Sequence, residues 1–133
     1  MLTRRSAIAA AASLLSLPLA VQAFADAPVF QTYAPNTFAA AQATGKPILI
    51  AIHAVWCPTC KVQRAVLNDL IKKPEYKDLV VLRVDFDDQK DAVTGFGADS
   101  QSTLIMFKGK AEMGRSVGTT NSKKIEELLR LAI

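Results

Sequence analysis

The chain alternates between apolar runs and segments in which apolar residues recur at helical spacing, and the two patterns together predict one α/β domain. Residues 48–52 are all apolar, as expected of a strand that is buried on both faces of a sheet. Residues 79–84 and 103–107 are mainly apolar and predict two more strands. A Lys-Gly-Lys turn then leads into residues 111–117, so the last two strands should form an antiparallel hairpin.

Helical spacing and capping residues predict the remaining elements. The predicted helices span residues 37–44, 61–71, 89–94 and a last segment that begins after a cap at Asn121 or Ser122. Asn36 is the predicted N-cap of the first helix, and Gly45 is its predicted end. We interpret residues 27–35 as a lead-in without an element of its own.

The two cysteines of the chain, Cys57 and Cys60, lie at the junction between the first predicted strand and the helix that follows it. The unpaired N–H groups and the dipole of a helix N-terminus stabilise a thiolate there, so Cys57 is the candidate nucleophile. Cys60 lies within one helical turn and is the candidate resolving thiol. This spacing predicts redox chemistry by disulfide exchange.

Two other uses of the cysteine pair are open at this point. A structural zinc site needs four protein ligands, whereas the chain offers two cysteines and one histidine, His53, so carboxylates would have to complete the set. The pair would also suit a static disulfide. The setting of a strand followed by a helix favours the redox interpretation.

Length and charge narrow the class of protein. The 133 residues suffice for one domain with a single core. Lys and Arg number 16 against 12 Asp and Glu, a net charge of +4, and without Arg4 and Arg5 the counts are 14 and 12, or +2. This balance does not indicate a nucleic-acid partner.

The N-terminal segment predicts export. Arg4 and Arg5 precede an uncharged apolar stretch over residues 7–21, and small residues follow it, as in a secretory signal peptide. We therefore predict a signal peptide over residues 1–25, a mature domain over 26–133 and a periplasmic location, where disulfides persist. The stretch is short for a membrane span and contains Pro18, which disfavours an uncleaved anchor.

Trp56-Cys57-Pro58-Thr59-Cys60 after a buried strand, together with the order of predicted elements, resembles the thioredoxin family over residues 37–131. The segments 45–47, 54–57 and 84–85 are especially similar to the C-terminal domain of the bacterial transmembrane thiol:disulfide interchange reductase. The resemblance implies a thioredoxin fold, an α/β domain with a central mixed sheet of four or five strands flanked by helices. It also implies that Cys57 is exposed at the helix start and that Cys60 is buried behind it.

The resemblance further implies a groove for protein substrates beside Cys57. The residues expected to form it are Trp56, Pro58, Ser102, Thr103 and Gly118. Ser102 occupies the position where thioredoxins have a cis-proline, and because a non-proline cis bond costs about 2.5 to 4 kcal/mol we predict a trans peptide. The serine would also fit as a loop residue with its hydroxyl in water.

Two further departures from the family pattern concern proton transfer. Ala51 stands where thioredoxins have a buried aspartate that takes the proton of the resolving cysteine, so release of product should be slow or strongly pH-dependent. His53 stands where an aromatic residue is common, on the same strand face as Ala51. It is a candidate for proton transfer near Cys60, and simple packing at the strand end is the alternative.

These observations predict an exported thiol:disulfide oxidoreductase that acts on protein disulfides and dithiols. Cys57 would attack the substrate, Cys60 would release it, and a membrane-bound electron donor would reduce the pair again. The resemblance favours the reductive direction, a monomer and no prosthetic group. The alternative is a metal-handling or redox-sensing protein that uses Cys57, Cys60 and His53.

Overall fold

The computed structural model describes residues 28–133, so the predicted signal peptide lies outside the described residues. Five strands form one mixed sheet in the order β1-β3-β2-β4-β5, which confirms the expected architecture. The strands are β1 (Phe30–Thr32), β2 (Pro47–His53), β3 (Val80–Asp85), β4 (Thr103–Lys108) and β5 (Ala111–Val117). β1, β3 and β2 run parallel, and β4 and β5 are antiparallel to their neighbours.

The helices lie close to their predicted positions. They are α1 (Pro35–Ala43), α2 (Pro58–Leu70), α3 (Lys90–Gly95) and α4 (Ser122–Arg130), with one turn of 3₁₀ helix at Pro74–Tyr76. Gly45 follows α1 with a φ of +70°, and Asn121 caps α4 by accepting a hydrogen bond from the Lys124 N–H, as predicted. Within residues 28–133, no helix is both long enough and apolar enough to span a bilayer.

Two predictions at the start of the domain are wrong. Residues 27–35 contain β1, whose three residues are too few to show an alternating pattern and which is held in place by pairing with β3. Asn36 is not the N-cap of α1, because the helix begins at Pro35 and Ala34 occupies the cap position. Proline is favoured at the first helical position, where its missing N–H would have no partner, and this moves the helix start ahead of the asparagine.

The central strand β2 is covered on both faces, as its unbroken apolar run predicts. Leu49 and Ala51 belong to a core formed with α2 and α4. Ile50 lies on the opposite face of β2, and the side chains of that face pack against α1 and α3. The C-terminal end of β2 is therefore held between the two cores in the middle of the sheet, and Cys57 follows it closely in the chain.

Candidate active site

Cys57 occupies the N-cap of α2, and Pro58 is the first residue of the helix. The Cys57 Sγ accepts a hydrogen bond from the Cys60 N–H at 3.2 Å, the contact that a serine or aspartate side chain makes in an ordinary N-cap. A sulfur that accepts from a helix N-terminus is stabilised as a thiolate. The predicted position of Cys57 at the start of a helix is confirmed.

The two thiols differ in acidity. Burial by itself raises the pKa of Cys57, but hydrogen bonds from the Cys60 and Ser102 side chains and from the backbone of Cys60 and Thr59 outweigh it and lower that pKa. The pKa of Cys60 is raised by burial and by its side-chain hydrogen bond to Cys57. Both cysteines are free thiols. Cys57 is thus the group that ionises first, and Cys60 keeps its proton.

The expected exposure of Cys57 is wrong. The residue is only 2% exposed, less than Cys60 at 7%, and both cysteines pack with Ala54 against Phe86. The sulfur at the helix start is covered by residues that are distant in the sequence. A substrate disulfide must therefore displace part of this cover to reach Cys57.

Ser102 supplies part of that cover and contacts both sulfurs. Its Oγ lies 3.2 Å from Cys57 Sγ and 3.1 Å from Cys60 Sγ, and the residue is 3% exposed. The alternative of a hydroxyl in water is therefore wrong. The predicted trans peptide is confirmed, since residues 28–133 contain no cis bond.

The backbone of Ser102 is held in an unusual conformation. Its φ of +62° lies in the left-handed region, which costs a residue with a side chain about 1–2 kcal/mol. The Ser102 N–H donates to the Ile52 carbonyl at 2.8 Å, and its carbonyl accepts from the Gly118 N–H at 2.9 Å. These bonds connect the end of β2, the start of β4 and the end of β5, and they aim the hydroxyl at the thiols.

Gln63 completes this support and was missed from the sequence. It is 3% exposed, and its Nε2 donates to the carbonyls of Ser102 at 3.0 Å and Thr119 at 2.8 Å. The signal was available, because Gln63 falls on the face of α2 that buries Cys60 and Leu67. A polar residue on a buried helix face usually has a specific partner.

Gln63→Ala is expected to lower the free energy of unfolding by about 1–2 kcal/mol, because the buried Ser102 carbonyl and the half-buried Thr119 carbonyl both lose this donor. Urea unfolding measures the loss, and the rate of Cys57 alkylation should rise as the Ser102 loop loosens. Asn68→Ala, at an exposed position of the same helix, is the matched control and should change neither quantity. Equal stability of Gln63→Ala and wild type would contradict the assignment.

The other residues that were predicted to form the groove differ in their exposure to solvent. Trp56 is 57% exposed, and its Nε1–H donates to the Asp87 carboxylate at 2.7 Å, while Pro58 and Gly118 are also exposed. Thr103 is buried, and its hydroxyl donates to the Ser100 carbonyl at 2.7 Å. The Thr103 side chain therefore stabilises the loop and is not part of the surface beside the thiols.

His53 is paired with Arg83. The guanidinium lies 2.9 Å from His53 Nδ1, and because arginine can only donate, this nitrogen accepts and the ring proton lies on Nε2. Burial and the Arg83 charge lower the pKa of His53, which favours a neutral ring. His53 shares a cavity wall with Ala51 and Cys60. Within residues 28–133, no three His, Cys, Asp or Glu side chains are grouped as metal ligands would be.

Two thiols of unequal pKa, joined by a hydroxyl and placed at a helix start, form an arrangement suited to disulfide exchange. The comparisons with known proteins agree with this chemistry. The family model described as Thioredoxin matches residues 29–130. A thioredoxin from Chlamydia muridarum is 32% identical over 99 residues, which cover 74% of this chain and 94% of that protein.

Solved structures extend the similarity to three dimensions. Trxlp from Edwardsiella tarda EIB202 has a TM-score of 0.74 and 39% identity, and the match covers 76% of this chain and 98% of that one. A thioredoxin from Malassezia sympodialis has a TM-score of 0.71 at 20% identity, covers 80% of this chain and 92% of that one, and supports the fold alone. The chain therefore belongs to the thioredoxin family of thiol:disulfide oxidoreductases, with Cys57 and Cys60 as its Cys-x-x-Cys pair.

Proposed function

We propose that this protein is an exported reductase of protein disulfides that uses Cys57 as nucleophile and Cys60 as resolving thiol. The observation that carries the proposal is the position of Cys57 at the N-cap of α2, where its Sγ accepts from the Cys60 N–H at 3.2 Å. The lowered pKa of Cys57 beside the raised pKa of Cys60 agrees with this geometry. In the first step the Cys57 thiolate attacks a substrate sulfur, and the other substrate sulfur leaves as a thiolate. In the second step Cys60 attacks Cys57 Sγ and releases the remaining substrate sulfur.

Ser102 acts in the second step. Cys60 must lose its proton before it attacks, and Ala51 provides no carboxylate to take it. The Ser102 hydroxyl lies within hydrogen-bond distance of both sulfurs, and it can either donate to or accept from each of them. It can therefore take the proton of Cys60 while it passes its own proton toward the leaving substrate sulfur. His53 stays in our proposal as the group that exchanges protons with solvent from the cavity beside Cys60.

Exposed apolar side chains around the thiols favour protein substrates. Val55 is 75% exposed, Trp56 57% and Val117 59%, and Val117 pairs with Thr103 beside Ser102. Exposed apolar surface next to a reactive group suits sequence-tolerant contact with a flexible peptide segment. The export signal, a membrane-bound electron donor and a monomeric state belong to the same proposal. The residue pattern of the N-terminal segment supports export, and the sequence resemblance supports the other two.

The reduction potential of the Cys57–Cys60 couple tests the direction of transfer. We expect a value below about −220 mV, in the range of reductants such as thioredoxin, from equilibration with glutathione buffers followed by alkylation. A value near about −120 mV would assign the protein to oxidants instead.

N-terminal sequencing of the protein from a periplasmic fraction tests export, with a start near residue 26 as the expected result.

A further inference from the structure

A second approach to the cysteine pair lies on the Cys60 side, away from the groove residues. A cavity of about 180 Å³ opens beside Cys60. Its polar walls are His53, Lys61, Arg64 and Arg83, and the walls include no acidic side chain. One water needs roughly 10–15 Å³ of such volume, so the cavity is large enough for a group of the size of a carboxylate.

The charges around this cavity are not neutralised by ion pairs. Within residues 28–133, the ion pairs do not involve Lys61, Arg64 or Arg83. Arg64 and Arg83 both lie over the ring of Phe30, with their guanidinium carbons 5.6 Å and 5.9 Å from its centroid. Burial and the charge of Arg64 lower the pKa of Arg83, so the two cations repel each other, and a bound anion would relieve the repulsion.

Asp85 is the acidic group that acts on the cluster from a neighbouring position. Its charge favours the protonated forms of Arg83 and His53. However, its Oδ1 already accepts the N–H groups of Asp87 and Asp88. These hydrogen bonds hold the carboxylate in the loop after β3 but leave its charge in place. The three cations Lys61, Arg64 and Arg83 outnumber it, so the cavity keeps an excess of positive charge.

We propose that this cavity binds the carboxylate or sulfonate end of a low-molecular-weight thiol, whose sulfur then reacts with Cys60. The inference rests on the proposed redox function of the pair and adds an anionic small thiol as a reductant. Protein substrates meet Cys57 on the groove side, whereas the small thiol meets Cys60 through the cationic cavity.

The chemistry is balanced with two molecules of thiol. The first thiolate attacks Cys60 Sγ of the oxidised pair, a bond forms to Cys60, and the bond between the two cysteines breaks. Cys57 leaves as a thiolate, which its lowered pKa favours. The second thiolate attacks the small-molecule sulfur, forms the small disulfide, and releases Cys60 as a thiolate that takes a proton from solvent.

The test compares the reduction of the oxidised full-length protein by three thiols. The probes are mercaptopropionate (anionic), mercaptoethanol (neutral) and cysteamine (cationic), and each rate is divided by the thiolate concentration. At low salt the anionic probe is expected to react about tenfold faster than the neutral one, and the advantage should shrink as salt screens the cations. Equal rates for all three probes would overturn the proposal.

Charge variants locate the effect. Arg64→Gln and Lys61→Gln should each reduce the preference for the anionic probe by severalfold. Lys108→Gln should leave it unchanged, because this exposed cation ends β4 and pairs with Pro47, at the end of β2 that is far from the thiols. In Cys57→Ser protein, the dianionic disulfide of mercaptopropionate should modify Cys60 faster than cystamine does. The same preference in all three charge variants would overturn the proposal.

Reduction by dithiothreitol distinguishes a failure of the cavity proposal from a failure of the proposed redox function. This neutral dithiol should reduce the pair in wild type and in every charge variant. If dithiothreitol reduces the pair and insulin reduction proceeds while no charge preference appears, only the cavity proposal fails. If the pair does not cycle with any reductant, the redox function itself fails.

Discussion

Cys57→Ser is expected to abolish protein disulfide reduction, with a loss of about 10³-fold or more, whereas Cys60→Ser should still perform the first step. Serine preserves the size of the side chain, but its hydroxyl is not ionised near neutral pH and is a poor nucleophile toward sulfur. Without Cys60 the substrate cannot be released. A mixed disulfide between the substrate and Cys57 should therefore accumulate.

Insulin reduction measures the loss of activity, and mass spectrometry of the trapped adduct identifies the cysteine. The two variants serve as matched controls for each other, because each removes one sulfur from the same buried cluster. Urea unfolding should show similar stability for both. An adduct of a protein substrate that forms equally well in Cys57→Ser would contradict the assignment of the nucleophile.

Removing the Ser102 hydroxyl is expected to slow release of the substrate by about tenfold or more at neutral pH. Hydrogen bonds to ionised groups contribute about 1.5–3 kcal/mol, which corresponds to roughly ten- to a hundredfold in rate. The Ser102 side chain lowers the pKa of both cysteines. Without it both pKa values rise, so the thiolate fraction near pH 7 falls and the rate recovers only at higher pH.

Two substitutions separate the hydroxyl from the backbone. Ser102→Ala keeps a side chain at a φ of +62°, whereas Ser102→Gly removes the hydroxyl and suits that conformation. The glycine variant should be at least as stable as wild type and yet as slow as the alanine variant. Stopped-flow measurements of mixed-disulfide resolution across pH would test this. A glycine variant with the wild-type rate and pH profile would contradict the role of the hydroxyl.

Most helices and strands of the domain can be predicted from the sequence, because their apolar patterns and capping residues lie within the elements themselves or next to them. The run at residues 48–52 is apolar on both faces because β2 lies in the middle of the sheet with helices on both sides. Gly45 marks the end of α1 because a left-handed residue ends a helix. The cysteine pair indicates the redox centre because two thiols within one helical turn are close enough to form a disulfide with each other.

Other features depended on contacts between distant parts of the chain. β1 is three residues long and exists because Phe30 and its neighbours pair with β3, which lies much later in the chain. The deep burial of Cys57 likewise depends on Phe86 and Ser102, which come from other loops. Hydrophobic periodicity carries no information about such partners.

By itself, the sequence determined the order of helices and strands from α1 onward, the reactive pair and the trans peptide at residue 102, because each follows from local spacing or from a local energy. Only the tertiary structure decided what surrounds the thiols. The Ser102 hydroxyl reaches both sulfurs because hydrogen bonds with Ile52, Gly118 and the Gln63 side chain hold its backbone in place. Proton transfer depends on distances of about 3 Å between atoms far apart in the chain, and those distances are set by packing.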